Sequence, residues 1–149
     1  MSGFEIGDPI RFDDADNTCF GCSPHNERGL QLEFVRTGPR EVECRYETPA
    51  HFGGAPGVIH GGVQATILDE VFGVAAHCAF DHDPDAWLVT VEFSLRYRRP
   101  APTGKPIVVW AELERTEGRD IWIRGEIRDE AGKPLTTATA RWKRIEPRT

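Results

Sequence analysis

The chain has no apolar run approaching eighteen residues without polar interruption, so nothing in it reads as a membrane-spanning helix. Its N-terminus, MSGFEIGDPIRFDDADN, is acidic where an export leader would be basic and then apolar. A cytosolic location is the expectation. Basic residues are also scarce: 18 Lys and Arg stand against 24 Asp and Glu, a net charge of -6, which disfavours nucleic acid as a partner. With only four cysteines in a reducing compartment, free thiols are expected rather than a disulfide framework. Cys19-Phe-Gly-Cys22-Ser-Pro-His25 has CxxC spacing with a histidine three residues on, but no second CxxC accompanies it, and the fourth ligand of a zinc site has only unpatterned sources in Cys44 and His51. That segment reads as a tight turn, its backbone set by Gly21 and Pro24 and its cysteines packed beneath, with no metal. Nothing marks a second domain. The 149 residues, 39% of them hydrophobic, fit one domain (1–149) made of an irregular arm over 1–18 and a core over 19–145.

What the chain does have is centred on Gly57 to Phe80, GVIHGGVQATILDEVFGVAAHCAF. The glycine pair Gly61 and Gly62 is followed by a proline-free stretch rich in Ala, Val, Leu and Ile, which predicts one helix beginning near Gly61. Val63, Ile67, Val71, Val74 and Cys78 share one side and Leu68, Phe72 and Ala75 another, so the helix is expected to be buried around most of its circumference. The remaining stripe, Gly62, Ala65, Thr66, Asp69, Gly73 and Ala76, carries small side chains and one carboxylate. A buried carboxylate must find hydrogen-bond partners, take up a proton, or be held for chemistry. One reading makes Asp69 a cap or an ion-pair partner. The other joins it to the backbone N–H groups at Gly61 and Gly62, where the helix start would stabilise an oxyanion. Together those two parts would add water to an acyl group.

Around the helix, alternation predicts strands. Leu30, Leu32 and Phe34 lead to Gly38-Pro39, and Val42, Cys44 and Tyr46 follow, as in a hairpin. Thr48 to Val58 is punctuated by Gly and Pro and reads as a loop that delivers the chain to the helix. His51 and His60 flank it, and His60 either fixes the turn or acts directly. After a turn at His82 to Asp85, Trp87 to Arg98 forms a long strand with Val89, Val91, Phe93, Leu95 and Tyr97 on one face. Ile107 to Leu113, Ile121 to Ile127 and Leu135 to Ile145 complete the set. The expectation is an α+β architecture: an antiparallel sheet of about six strands wrapped around one long central helix.

In that order, a hairpin, a loop, the IHGGVQATILDE helix and a strand ending in LRYRRPAP, the chain resembles the hotdog-fold acyl-CoA thioesterases of the phenylacetate-pathway type and their thioesterase-superfamily relatives. The likeness spans residues 19 to 145. Its specific core is His60-Gly61-Gly62 with an acid seven residues beyond, Asp69, and the exit Tyr97, Arg98, Arg99, Pro100. The CFGC segment with Gly29-Leu30 is similar to a leader found in a subset of the family, with Glu27 where a proline is common.

The resemblance implies hydrolysis of acyl-CoA thioesters without a cofactor. The thioester carbonyl would point at the N–H of Gly62 or Gly61, and Asp69 would act as general base or attack the carbonyl itself. Thr90 falls where relatives place a Ser or Thr that holds the water. Arg96, Arg98 and Arg99, with Lys105, form a basic cluster in an acidic chain, either a solvated strand end or a seat for the coenzyme A phosphates. Relatives often carry a polar residue where this chain has Gly54; His51 would substitute for it, or the site would be thinner. Glu70, about 100° around the helix, would be the acid only in a shifted register. The resemblance also implies a homodimer or a tetramer made of two dimers, with acid and amide from different subunits. Two alternatives remain: a non-catalytic acyl-CoA-binding protein of the same fold, or a hydratase, which would need an Asp/His dyad.

Overall fold

The computed structural model describes residues 5–83 and 85–146. Residues 1–4 of the expected arm, Pro84 of the expected turn and residues 147–149 lie outside the described residues. The secondary-structure elements are β1 (Pro9–Ile10), β2 (Phe34–Gly38), β3 (Glu41–Glu47), α1 (Gly61–His77), β4 (Trp87–Tyr97), β5 (Pro106–Glu117), β6 (Asp120–Arg128) and β7 (Pro134–Ile145). A short 3-10 turn at Ala50–Phe52 lies in the loop before α1. The strands form one antiparallel sheet in the order β1-β2-β3-β5-β6-β7-β4.

The sheet therefore has seven strands, not about six. The extra one, Pro9–Ile10, comes from the arm expected to be irregular, and it pairs with Phe34 and Val35. The first strand of the predicted hairpin is also shorter than its alternation suggested. Gln31 takes a left-handed φ of 53°, and the amides of Leu30 and Leu32 turn to the carbonyls of Phe20 and Gly21. Both leucines are buried, but the CFGC turn holds them and the sheet does not.

The helix packs across the concave face of the sheet. Ile67, Leu68, Val71 and Phe72 are fully buried against Val42, Val109, Ala111, Ile121, Ile123 and Ile127. Contact is closest at Gly125 on β6, where a Cβ would stand 2.6 Å from the Phe72 ring. Gln64, buried in the first helical turn, donates to the Ile59 carbonyl at 2.9 Å and accepts from Thr136 at 2.6 Å. Those two bonds fix where the helix starts relative to β7.

Among the described residues β4 pairs with β7 alone, and so forms an edge of the sheet. Its pairing slips between Thr90 and Glu92, leaving Val91 as an extra residue. Such a bulge reverses which side chains face inward beyond it. Leu88 packs against the core before the slip, and Phe93 and Leu95 after it. The uniform face expected from Val89 to Tyr97 is thus broken: Val89 and Val91 point out, and Thr90 shares the inner side with Leu88.

Candidate active site

His60 caps the N-terminus of α1 with its side chain, Nδ1 accepting the Gly62 N–H at 3.0 Å. Its backbone N–H is tied to the Phe52 carbonyl at 3.1 Å, which seats the preceding loop. The role of a turn-fixing histidine is thereby filled, and it changes the expected anion site. The Gly62 amide is not bare; the imidazole occupies it. The amides of Gly61 and Val63, the other two of the first turn, have no hydrogen-bond partner among the described residues. Tyr97, at the end of β4, lies over this start and donates its hydroxyl to the Gly61 carbonyl at 2.8 Å. The sequence reading had Tyr97 only as part of an exit motif; that β4 returns over the helix start is visible only in three dimensions.

Two turns along the helix, Asp69 accepts a hydrogen bond from the Thr90 hydroxyl, Oγ1 to Oδ1 at 2.7 Å. Burial raises the pKa of this carboxyl above its ordinary value, and the Thr90 bond pulls it back down. The residue is half-buried, so a carboxylate there has lost part of its hydration yet remains reachable. The contact exists because of the bulge: in an unbroken strand, a residue between Val89 and Val91 would sit opposite the core-facing Phe93.

Glu70 is directed elsewhere. Its Oε1 accepts from the Cys19 thiol at 3.3 Å, and a Cβ at Gly21 would collide with its side chain. The small-residue stripe is open only near its start. Gly62 is exposed and Thr66 half-buried, but Gly73 and Ala76 are covered. What approaches at Gly73 is this chain's own Trp142, whose ring would lie 2.7 Å from an added Cβ.

The basic residues line the exit from β4. Arg98 Nε donates to Thr137 Oγ1 at 3.2 Å, Arg99 Nη1 reaches the Pro134 carbonyl at 3.5 Å, and both backbone amides share the Leu135 carbonyl. Arg96, Arg98, Arg99 and Lys105 are exposed. His51 is not brought to Asp69. It is exposed, its ring packs 4.4 Å from that of Phe52, and it lines a hollow with Glu27, Arg28 and Tyr46 that includes neither Asp69 nor Thr90. At Gly54 a Cβ would stand 3.3 Å from His60 Cα.

A sequence model of the thioesterase superfamily matches residues 56–136, the segment that holds His60, Asp69, Thr90 and Tyr97. The chain belongs to the thioesterase superfamily. Among curated relatives, rat acyl-coenzyme A thioesterase THEM4 is 31% identical over 125 residues, which are 81% of this chain and 52% of that one. This thioesterase-superfamily chain thus spans about half the length of the curated relatives it matches. Among solved structures, a thioesterase superfamily protein superposes with a TM-score of 0.72 at 28% identity, covering 80% of this chain and 57% of that one. The E. coli PaaI protein from the phenylacetic acid degradation operon superposes at 0.67 with 16% identity, covering 78% and 80%, a likeness of fold. The hotdog architecture expected from the helix and its surrounding strands is borne out by these matches.

Proposed function

We propose that the chain hydrolyses acyl-CoA thioesters, with Asp69 as general base or nucleophile, Thr90 positioning its carboxylate, and an amide of the Gly61-Gly62-Val63 turn receiving the oxyanion. The single observation that carries this reading is the 2.7 Å bond from Thr90 to a half-buried Asp69 inside the family-matched segment. A carboxylate whose pKa is raised by burial is the stronger base once ionised. In one course, Asp69 takes a proton from water as the water oxygen adds to the thioester carbon. The carbonyl electrons move to oxygen, and the adduct collapses by expelling the coenzyme A thiolate, which recovers the proton. In the other, Asp69 attacks first and water opens the resulting anhydride. A thiolate leaves readily at neutral pH, so neither course needs a strong acid.

Asp69 and the Gly62 amide lie two helical turns apart, roughly 10 Å along the axis. One acyl carbon cannot meet both within a single chain, so the reading requires a second copy to bring its helix start to the first copy's Asp69. We take the active form as a homodimer, or a tetramer made of two dimers, in the cytosol, with Arg96, Arg98 and Arg99 seating the coenzyme A phosphates. A second reading is favoured by the His60 imidazole on the Gly62 amide and by Gly54: the fold would bind acyl-CoA without cleaving it.

Incubation with a panel of acyl-CoAs and a thiol-reactive dye separates the two. The hydrolytic reading expects thiol release, reduced about 10²- to 10⁴-fold in Asp69→Asn. Binding without release, or an asparagine variant as fast as wild type, would reject it.

A further inference from the structure

The mechanism leaves unused a cluster on another flank of the helix, about 100° around from Asp69. Cys19, Cys22 and Glu70 each offer one ligand atom, and the three atoms lie within 4.8 Å of one another. Cys19 Sγ and Glu70 Oε1 are 3.3 Å apart. A tetrahedral zinc ion, with bonds of about 2.3 Å to sulfur and about 2.0–2.2 Å to oxygen, sets sulfur–oxygen separations near 3.5 Å. The CxxC spacing offers His25 as a further donor beside the two thiols, but His25 Nε2 lies 2.9 Å from the Asp13 carbonyl oxygen. The third donor stands 51 positions away in the chain and comes from α1.

The turn that presents the sulfurs is preformed. The Cys22 amide donates to Cys19 Sγ at 3.4 Å, and Asn17 Nδ2 approaches Cys22 Sγ at 3.9 Å, so an N–H group is aimed at each sulfur and holds it in place. Buried Ser23 ties the turn back to the Asn17 carbonyl at 2.6 Å, and Gly21 leaves just enough room for the Glu70 side chain. Without a cation, three acidic groups crowd together. All three residues are half-buried, so water can supply a fourth ligand.

We propose that Cys19, Cys22 and Glu70 bind one divalent cation of the zinc class and so staple the CFGC turn to α1. Two soft sulfurs with one carboxylate oxygen select zinc or cobalt over magnesium or calcium. Binding exchanges the two thiol protons for the cation and changes no oxidation state. The proposal does not depend on the thioesterase reading.

The test uses the full chain, reduced and freed of metal, then titrated with Co²⁺ and with Zn²⁺. One Co²⁺ per chain is expected, with a sulfur-to-cobalt charge-transfer band and tetrahedral ligand-field absorption. Zn²⁺ should displace the cobalt and raise the thermal midpoint. Cys19→Ser and Glu70→Gln should each weaken binding about 10- to 100-fold. The glutamine is close in shape to glutamate, so loss of binding with an unchanged circular dichroism spectrum is not loss of fold. Cys78→Ala serves as the control, because the Cys78 sulfur lies 3.6 Å from His82 Nε2. Three results would overturn the proposal: no charge-transfer band in wild type, binding lost in Cys78→Ala but kept in Cys19→Ser, or a Cys19–Cys22 disulfide in the protein as isolated from cells under anaerobic, thiol-blocking conditions.

Discussion

At the residue scale, the Thr90 to Asp69 bond would hold the proposed base in place. Hydrogen bonds to charged groups contribute about 1.5–3 kcal/mol. Replacing Thr90 by valine keeps the strand's shape and removes the hydroxyl, so kcat for the proposed hydrolysis should fall about tenfold or more while KM stays near wild type. Thr90→Ser, which restores the hydroxyl, should recover most of the rate. A structural role alone would move neither constant selectively, and a serine variant as slow as the valine would show that the hydroxyl is not what matters. Gly73 gives a second case, in which context reverses the sign of an intrinsic preference. An exposed helical Gly→Ala change stabilises by about 1 kcal/mol. Here the added Cβ would stand 2.7 Å from the rigid Trp142 ring, and overpacking costs about 1–3 kcal/mol. Gly73→Ala should therefore lower the urea midpoint; a rise would mean that Trp142 moves aside freely.

At the element scale, the helix and the strands after it were legible because their signals are local. Glycines at 61 and 62, a proline-free apolar run, and alternation over 107–113 and 121–127 each follow from neighbours in sequence. What escaped depends on partners distant in the chain. The bulge at Val91 carries no glycine or proline; it arises from how β4 registers on β7, and with it went the correct face for Thr90. The Glu70 contact with Cys19 and the Gln64 bond to Thr136 needed the CFGC turn and β7 to be placed first. Asp69 was found because a single carboxylate on a stripe of otherwise small residues is anomalous whatever surrounds it.

The connection from α1 to β4 shows the same dependence in its titration. Burial chiefly, then the charges of Arg36 and His77, hold His82 down to about 4, with Asp81 acting the other way. His77 is also lowered, by burial, with Asp83 opposing. In the unfolded chain His82 would titrate near its ordinary value of about 6.5. Between those two values the unfolded state binds a proton that the folded state refuses, so stability falls as pH drops from about 6.5 to about 4 and is fully present above that window. His82 sits at a left-handed φ of 56°, which asparagine tolerates. His82→Asn should thus shrink the loss of thermal midpoint between pH 7 and 4, and parallel curves for variant and wild type would assign the acid sensitivity to other groups.

At the scale of the whole molecule, the edge at β4 and the distance along α1 pose one problem with one solution. Trp87, Val89, Val91 and Tyr97 are 47%, 38%, 41% and 53% exposed, and all four lie on this one strand. An edge so apolar invites pairing. A second copy laid antiparallel against β4 would cover Val89 and Val91, extend the sheet across both chains, and carry its own helix start toward Asp69, closing the roughly 10 Å gap within one chain. Association and activity should then fail together. Val91→Lys places a charge at the bulge, pointing outward and away from the core, so the folded chain should survive it as a monomer. Sedimentation would report halved mass, circular dichroism an unchanged fold, and thiol release a loss of rate approaching that of Asp69→Asn. A monomeric variant that still hydrolysed acyl-CoA at the wild-type rate would mean that acid and amide meet within one chain, and the two-subunit site would have to be abandoned.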